Sequence, residues 1–464
     1  MRESLRRVLG LFSPGVWVVA ALALGSSVAL AFLPSLLREP IQYWIFAKQH
    51  GAIYRDLITR WNRERPAAMR VELSLINLPV IEQRMLSGFL SGTPVASVIE
   101  VERSIAGRAF TGPLEDVGFV DLTDRLKTEG LLEKINPPSL SPWTSRGRIF
   151  GIPHDVHPVM LAYRADLVEA AGLDMSTIET WDDFFRVLRP LQRDLDGDGR
   201  IDRYLLSTTC NDPGTTEVLL LQAGGAIFTP DERVTFDTPA NARILARLVP
   251  WYAGPQRMCR WADFNSASGQ QMFVDGLVVA FLTPDWLAGT FKQQLPGLAG
   301  KLKLMPLPAF ERGGRRTSAF GGTMLGLVKA SRTPAADWEF AKALYLSREM
   351  SDALFRSTCI ISPFKSNWVD NPAYAAPDPY FCGQPVGNLY VALAPDVPAR
   401  TSSPYNTLAT RRLSNCLSTL VEYAEKKNTF DPALLEPEAR RLLAEAQRDF
   451  SALVGRNVFL TAQP

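Results

Sequence analysis

Three stretches of the 464-residue chain combine residue types at spacings that chemistry requires. In Asp194-Leu-Asp-Gly-Asp-Gly-Arg-Ile-Asp202, carboxylates recur at positions 194, 196 and 198, and Gly199 permits a sharp turn. Arg200 offers a backbone carbonyl and Asp202 a further acid. Oxygen ligands at these intervals suit calcium, a hard cation that gathers six to eight of them. The twelfth position of such a loop, where a bidentate Glu is expected, is Leu205. The motif therefore reads either as a calcium site of modest affinity or as an Asp/Gly turn without metal. The second stretch, His154-Asp155-Val156-His157, brings two imidazoles close together, but two ligands on one loop fall short of a zinc site. Hydrogen bonding to a ligand and a structural role are its two readings. The third, Ile99-Glu-Val-Glu-Arg103, ends a strand of buried type. Strand alternation cannot place Glu100, Glu102 and Arg103 all in solvent. A cleft role for at least one of them stands against a surface ion pair of little energetic weight.

The rest of the composition narrows the function classes. Lys and Arg number 50 against 48 Asp and Glu, so no basic footprint for nucleic acid exists. Neither a metalloprotease His-Glu-x-x-His, a nucleophile elbow nor a phosphate-binding P-loop occurs. Ser362-Pro-Phe-Lys365 fits Ser-x-x-Lys without its partner motifs. The five cysteines, Cys210, Cys259, Cys359, Cys382 and Cys416, have no zinc-type spacing; they permit up to two disulfides, whose pairing is not readable. No charge lies between Arg7 and Arg38, and the apolar run Val16 to Leu33 follows a basic start, which makes residues 1–37 an export signal or a membrane anchor. Cleavage after Ala29-Leu30-Ala31 would leave 47 basic and 47 acidic residues.

These residues need elements to hold them. Ile41 to Phe46 reads as a strand and Ala52 to Glu64 as a helix with Ile53, Leu57, Ile58 and Trp61 on one face. Val71 to Leu75 is a second strand, Val80 to Leu90 a second helix and Val95 to Val101 a third strand. This β-α-β-α-β run predicts an α/β fold with a parallel sheet and ligand at the carboxyl ends of its strands. A new unit starts with the strand Pro158 to Tyr163. Thr180 caps a helix from Trp181 to Gln192, and Pro334 opens one reaching about Phe355.

The order of several landmarks then resembles a known family. These are Leu90-Ser-Gly-Thr-Pro94, Gly147-Arg-Ile-Phe-Gly-Ile-Pro153, Leu161-Ala-Tyr-Arg-Ala-Asp-Leu167, Trp181-Asp-Asp-Phe184, Gln271-Met-Phe-Val-Asp-Gly276, Phe281-Leu-Thr-Pro-Asp-Trp286 and Phe320-Gly-Gly-Thr323. Across roughly residues 40 to 425 they resemble the extracellular solute-binding proteins of bacterial ABC importers, in the carbohydrate-binding group that includes maltose-binding protein.

The resemblance implies a two-lobed periplasmic-binding-protein fold, each lobe a β-sheet flanked by helices. Lobe I would take residues 40–155 and 305–359, lobe II residues 156–304 and 360–450, with a C-terminal tail at 451–464. Hinge crossings are expected at Asp155–Val159, Lys303–Pro308 and Ile360–Pro363. It also implies a monomer in the periplasm or on the outer face of the cytoplasmic membrane that passes a carbohydrate to permease subunits, with no catalysis, no nucleic acid and no required cofactor; structural Ca2+ at Asp194, Asp196, Asp198, Arg200 and Asp202 is one of the two readings of the acidic loop. A sugar ring has an apolar face edged with hydroxyls, so its cleft needs aromatic plates and paired hydrogen-bonding groups. Trp286 is the foremost plate, with Trp44 and Tyr405 as further candidates. Glu100, Glu102, Arg103, Asp155 and His157 are candidate polar contacts. Gly321 and Gly322 let the backbone approach the ligand or make a tight turn. Two other classes share these features: a surface hydrolase with Glu100 or Glu102 as its carboxyl groups, and a membrane-tethered sensory ectodomain.

Overall fold

In β1 (Ile41–Ile45) the first, third and fifth side chains are fully buried, while Gln42 and Trp44 on the other face are half-buried. This is the period of two that a strand requires. The structure, a computed structural model, describes residues 13–32 and 40–461. β2 (Val71–Leu75) and β3 (Val98–Glu102) lie on either side of β1 and parallel to it. The connecting helices are Lys48–Glu64, which turns Tyr54, Ile58 and Trp61 inwards, and Leu78–Ser91. The second is capped by Asn77, whose side chain accepts from Val80 N at 3.1 Å, and it ends at Gly92 with φ 67°. A small hairpin of β4 (Thr144–Ser145) and β5 (Arg148–Ile149) precedes β6 (Ile152–Pro153).

The chain then enters a second sheet. β7 (Val159–Arg164) is buried along its whole length. β8 (Tyr204–Ser207) runs parallel to β9 (Val278–Pro284), while β7 is antiparallel to both β9 and β10 (Leu302–Pro306). β11 (Thr323–Leu327) returns to the first sheet between β3 and β6, giving the orders β2-β1-β3-β11-β6 and β10-β7-β9-β8. Each sheet is covered on both faces. Ile41, Tyr43, Ile45 and Val98 face one core of lobe I, and Ile99, Val101 and Met324 face the other. In lobe II, Leu161 and Leu282 face a core that also takes in the helices Asn406–Lys427 and Pro432–Val454, while Met160 and Phe281 face the opposite one.

Some expectations need correction. Residues 302–306 pair with β7, so the crossing expected at Lys303–Pro308 lies inside lobe II. The chain instead returns at Gly321–Gly322, after Ala319 has bridged Pro158. Prolines 306 and 308 suggest a linker, but Pro306 ends an edge strand, where its missing N–H is tolerated. The third passage begins in the helix Arg348–Thr358, whose Met350 packs in lobe I and Phe355 in lobe II. The single helix expected from Pro334 to Phe355 is broken: Pro334–Ala341 gives way to a π-helical turn at Lys342–Leu346, and Ser347 then caps a new helix by accepting from Met350 N. The helix at Trp181 stops at Leu188 because Pro190 follows, and its start is a capping box between Thr180 and Asp183. All five cysteines are free thiols.

Of the expected leader, residues 13–32 are described, and residues 1–12 and 33–37 lie outside the described residues. Within it a helix spans Pro14–Phe32, with Val18, Val19, Leu22 and Leu24 exposed. Among the described residues no helix is long and apolar enough to cross a membrane. The tail continues as the short helix Val458–Thr461, and residues 462–464 lie outside the described range.

Candidate functional site

Between the lobes lies a cleft of about 380 Å³, within the range of small-molecule sites of roughly 300–1,000 Å³. Lobe I contributes Phe46 just past the end of β1, His50 from the helix that follows, and Glu102 from the end of β3. Lobe II contributes Trp286 just after β9, with Asn265, Thr290 and Gln293 around it. Asp155, His157, Gly321 and Gly322 of the two hinge passages close the floor. Parallel strands thus deliver cleft-lining residues at their carboxyl ends, as the topology predicts. A larger concavity of about 1100 Å³ beside Arg186, Arg243 and Trp251 belongs to lobe II alone, so lobe movement cannot close over it.

Trp286 is fixed from two sides. Its backbone N–H donates to Asp285 Oδ1 at 2.8 Å and its indole Nε1 to the Phe320 carbonyl at 3.1 Å. The ring meets Phe320 edge-on, with centroids 5.9 Å apart. Gly321 sits against the same indole: a Cβ there would stand 2.9 Å from Nε1, and its φ of 87° favours glycine in any case. At Gly322, with φ 135°, a Cβ would stand 3.2 Å from Arg400 Nη2. Both the turn and the close approach are therefore present at this pair.

Beneath the cleft, the three histidines of the chain join three buried carboxylates into one continuous chain of contacts. His50 Nδ1 lies 3.0 Å from Glu100 Oε2, and Tyr345 donates its hydroxyl to Glu100 Oε1 at 2.7 Å. Tyr54 Oη stands 3.2 Å from that oxygen and 2.8 Å from His154 Nε2. His154 Nδ1 reaches Asp155 Oδ2 at 3.0 Å, and Asp155 Oδ1 lies 2.5 Å from His157 Nε2. His157 Nδ1 ends the series on Asp285 Oδ1 at 2.9 Å. The contacts run from lobe I through the hinge to lobe II. Burial alone would lower the His157 pKa, but the carboxylates of Asp155 and Asp285 outweigh it and raise the imidazolium to about 9. Burial would likewise raise Asp155 and Glu100; the facing histidines outweigh it and hold both below their ordinary values. His157 has φ 57°, a left-handed backbone uncommon for histidine, which these two ion pairs sustain.

The structure brings Glu102, Asp155, His157, Trp286, Gly321 and Gly322 together on this cleft. The other candidates lie elsewhere. Glu100 shares a face of β3 with Glu102 but sits one pleat deeper, fully buried under His50, Tyr54 and Tyr345, and does not line the cleft. Trp44 packs on the outer core of lobe I, with the Arg84 guanidinium 5.9 Å from its ring. Tyr405 leans on the lobe II core against Phe450. Arg103 points into a neighbouring pocket of about 230 Å³, where it forms a two-pronged ion pair with Glu217 of lobe II at 3.0 and 2.8 Å. Residues absent from the sequence reading as site residues are His50, Glu217, Asn265, Asp285, Gln293 and Arg400. Only Asp285 had a signal, as the neighbour of Trp286 in Thr283-Pro-Asp-Trp286.

On the far side of lobe II the acidic loop folds onto itself. Asp194 accepts from Gly197 N and Gly199 N at 2.6 and 2.7 Å, and Asp202 from Leu195 N at 2.7 Å. Those backbone donors hold the Asp194 carboxyl below its ordinary value. Oxygens of Asp194, Asp196 and Asp202 lie within 4.8 Å of one another. Asp198 is instead engaged with Arg200 N at 2.8 Å, and Leu205 is buried in β8. Three convergent carboxylates fit a hard cation in part; the full ligand set drawn from the motif does not converge.

Known proteins match this architecture. An arabinooligosaccharide-binding protein of Halalkalibacterium halodurans is 24% identical over 345 residues, covering 73% of this chain and 74% of that one. Its counterpart from Bacillus subtilis is 22% identical and covers 63% and 66%. Among solved structures, the sugar-binding protein MalE from Xanthomonas citri superposes with a TM-score of 0.68 at 17% identity, over 89% of this chain and 99% of that one. An ABC transporter associated binding protein from B. animalis subsp. lactis Bl-04, in complex with beta-1,6-galactobiose, gives 0.64 at 18% identity over 90% and 98%. These likenesses agree with two lobes around a cleft. The family profile for bacterial extracellular solute-binding proteins matches residues 49–350, well over half of the sequence, and the chain belongs to that family.

Proposed function

We propose that the protein captures a carbohydrate in the interlobe cleft and delivers it to the permease subunits of an ABC importer. The observation that carries this reading is Trp286, an aromatic plate oriented by Asp285 and Phe320 and ringed by amide, hydroxyl and carboxylate groups suited to sugar hydroxyls. The names of the relatives point the same way. In this reading the protein is a monomer that acts outside the cytoplasm, with its leader serving as signal or anchor, and a calcium ion in the Asp194–Asp202 loop has a structural role only. Ligand resting on one lobe biases the open and closed forms by contacting the other, since only differential affinity shifts a population.

A thermal-shift screen against neutral and acidic mono- and oligosaccharides tests the proposal, because a ligand that binds only the folded state raises Tm. A response to sugars is the expected result. A response confined to amino acids, peptides or polyamines would overturn the carbohydrate assignment. Small-angle scattering at saturating ligand should show a more compact particle; an unchanged profile would count against lobe closure.

A further inference from the structure

Beyond Gly322, in the pocket of about 230 Å³ beside the cleft, lies a buried guanidinium with an unpartnered nitrogen. Arg400 is 7% exposed, and its Nη1 is buried without a hydrogen-bond partner. Its backbone is pinned by Ser141 Oγ, which accepts from Arg400 N at 2.9 Å. Next to it, Arg103 spends both terminal nitrogens on Glu217, while its Nε is also buried and unpartnered. The nearby carboxylates are otherwise engaged: Glu217 by Arg103, Asp155 by His154 and His157, and Glu102 by the backbone N–H of Ser104 at 2.8 Å. Glu217, Asp155 and Glu102 all offset the Arg400 charge, yet Arg400 Nη1 and Arg103 Nε stay without a hydrogen bond. Burial and the adjacent Arg103 pull the Arg400 pKa down to about 9, still far enough above neutrality to keep it charged. A buried donor left without an acceptor is costly, so this arrangement is complete only when an acceptor on the solute joins it.

The position adjoins the sugar cleft. Arg400 lines the 230 Å³ pocket and a void of about 10 Å³ that shares Asp155, His157 and Gly322 with the main cleft. Gly321 and Gly322 are consecutive, one against the Trp286 indole and the other against Arg400 Nη2. With adjacent Cα atoms ~3.8 Å apart, the indole and the guanidinium are separated by no more than about 13 Å, a span that suits a short oligosaccharide.

We infer that the solute carries a carboxylate, as in a uronic-acid sugar, which docks on Arg400 in the Arg103–Glu217 pocket beside the cleft while a sugar ring lies on Trp286. This rests on the carbohydrate reading above and narrows it. A sugar hydroxyl would satisfy one N–H, whereas a carboxylate meets the planar guanidinium edge with two parallel bonds.

Calorimetric titration of the full chain at low salt tests this with a panel of uronic-acid disaccharides, each paired with its uncharged methyl ester. Charge-assisted bonds are worth about 1.5–3 kcal/mol, so at least one acid should bind roughly tenfold to hundredfold more tightly than its ester. Arg400→Gln should abolish that preference, and Arg400→Lys should restore part of it. If the variants fail to fold, the acid-to-ester ratio of the wild-type protein decides alone. Esters or other neutral sugars binding as tightly as any acid would overturn the carboxylate assignment and leave the carbohydrate reading standing. Tighter binding of a disaccharide phosphate than of any uronate would overturn it in favour of phosphate. No binding of any acidic or neutral sugar would overturn both.

Discussion

The protein gathers acidic side chains in two places and handles them in opposite ways. At the hinge, Glu100, Asp155 and Asp285 are buried, and each faces a histidine. In the Asp194–Asp202 loop, the carboxylates sit at the surface and accept backbone N–H groups of neighbouring residues. The chemistry of the groups is the same and the solvent is not. Out of water a carboxylate needs a cation or several donors within reach: His154 and His157 flank Asp155 in the chain, while the histidines facing Glu100 and Asp285 come from distant parts of it. In water, a glycine-rich turn suffices.

The largest effect should follow from removing the cation at the hinge. His157→Asn keeps a residue that tolerates left-handed backbone but leaves Asp155 and Asp285 buried without their shared imidazolium. Calorimetric unfolding should show a loss of about 3–5 kcal/mol. A loss below about 1 kcal/mol would put the hinge acids in the same class as the loop acids and dissolve the contrast.

Next comes pH. The folded-state pKa of His157 is raised to about 9, so its contribution is fully present below its unfolded value of ~6.5 and is lost as pH rises through about 9. The shift corresponds to roughly 3 kcal/mol. Tm should therefore fall between pH 7 and 10 by more in the wild-type protein than in His157→Asn. Parallel curves would show that the imidazolium is not the group responsible. Asp155, with its lowered pKa, works in the other direction: its contribution is present above ~4 and fades as pH falls below that.

A smaller change separates the hinge from the cleft it supports. Trp286→Ala removes a half-buried ring without touching the histidine–carboxylate contacts. Sugar affinity should fall about tenfold, from roughly 1–1.5 kcal/mol of aromatic contact, with the alkaline fall in Tm unchanged. Undiminished affinity would move the plate elsewhere.

The loop should give the smallest response. If calcium binds there, chelation should lower Tm, and calcium at ten times Kd should return no more than about 1.5 kcal/mol. Sugar affinity should stay constant. An unchanged Tm, with no calcium by elemental analysis, would reduce the loop to an Asp/Gly turn.

The same contrast explains what the sequence made legible. The loop motif is contiguous, so its turn and its donors can be read directly from spacing. The first five elements, Ile41 to Glu102, are also local: alternation marks the strands and helical spacing marks the helices. The hinge network is not local. Glu100 meets Tyr345 across 245 positions and His157 meets Asp285 across 128, and no periodicity encodes such pairings. Arg400, flanked by Pro398 and Ser402, lies outside any periodic element, so nothing before folding distinguishes it from an arginine in a solvated loop. Trp286 was legible because it directly follows a strong apolar strand, the place where an α/β sheet presents ligand contacts.

The Arg103–Glu217 pair bears on timing. Its partners belong to different lobes and can meet only while the lobes are together, so every opening must first separate them into water. If separation adds about 1.4 kcal/mol to the opening barrier, opening slows tenfold. Because captured solute escapes only through an open cleft, its residence time lengthens by the same factor, and entry into an empty, latched cleft slows as well. Such a device trades speed of capture for duration of hold. It suits a scavenger of scarce solute.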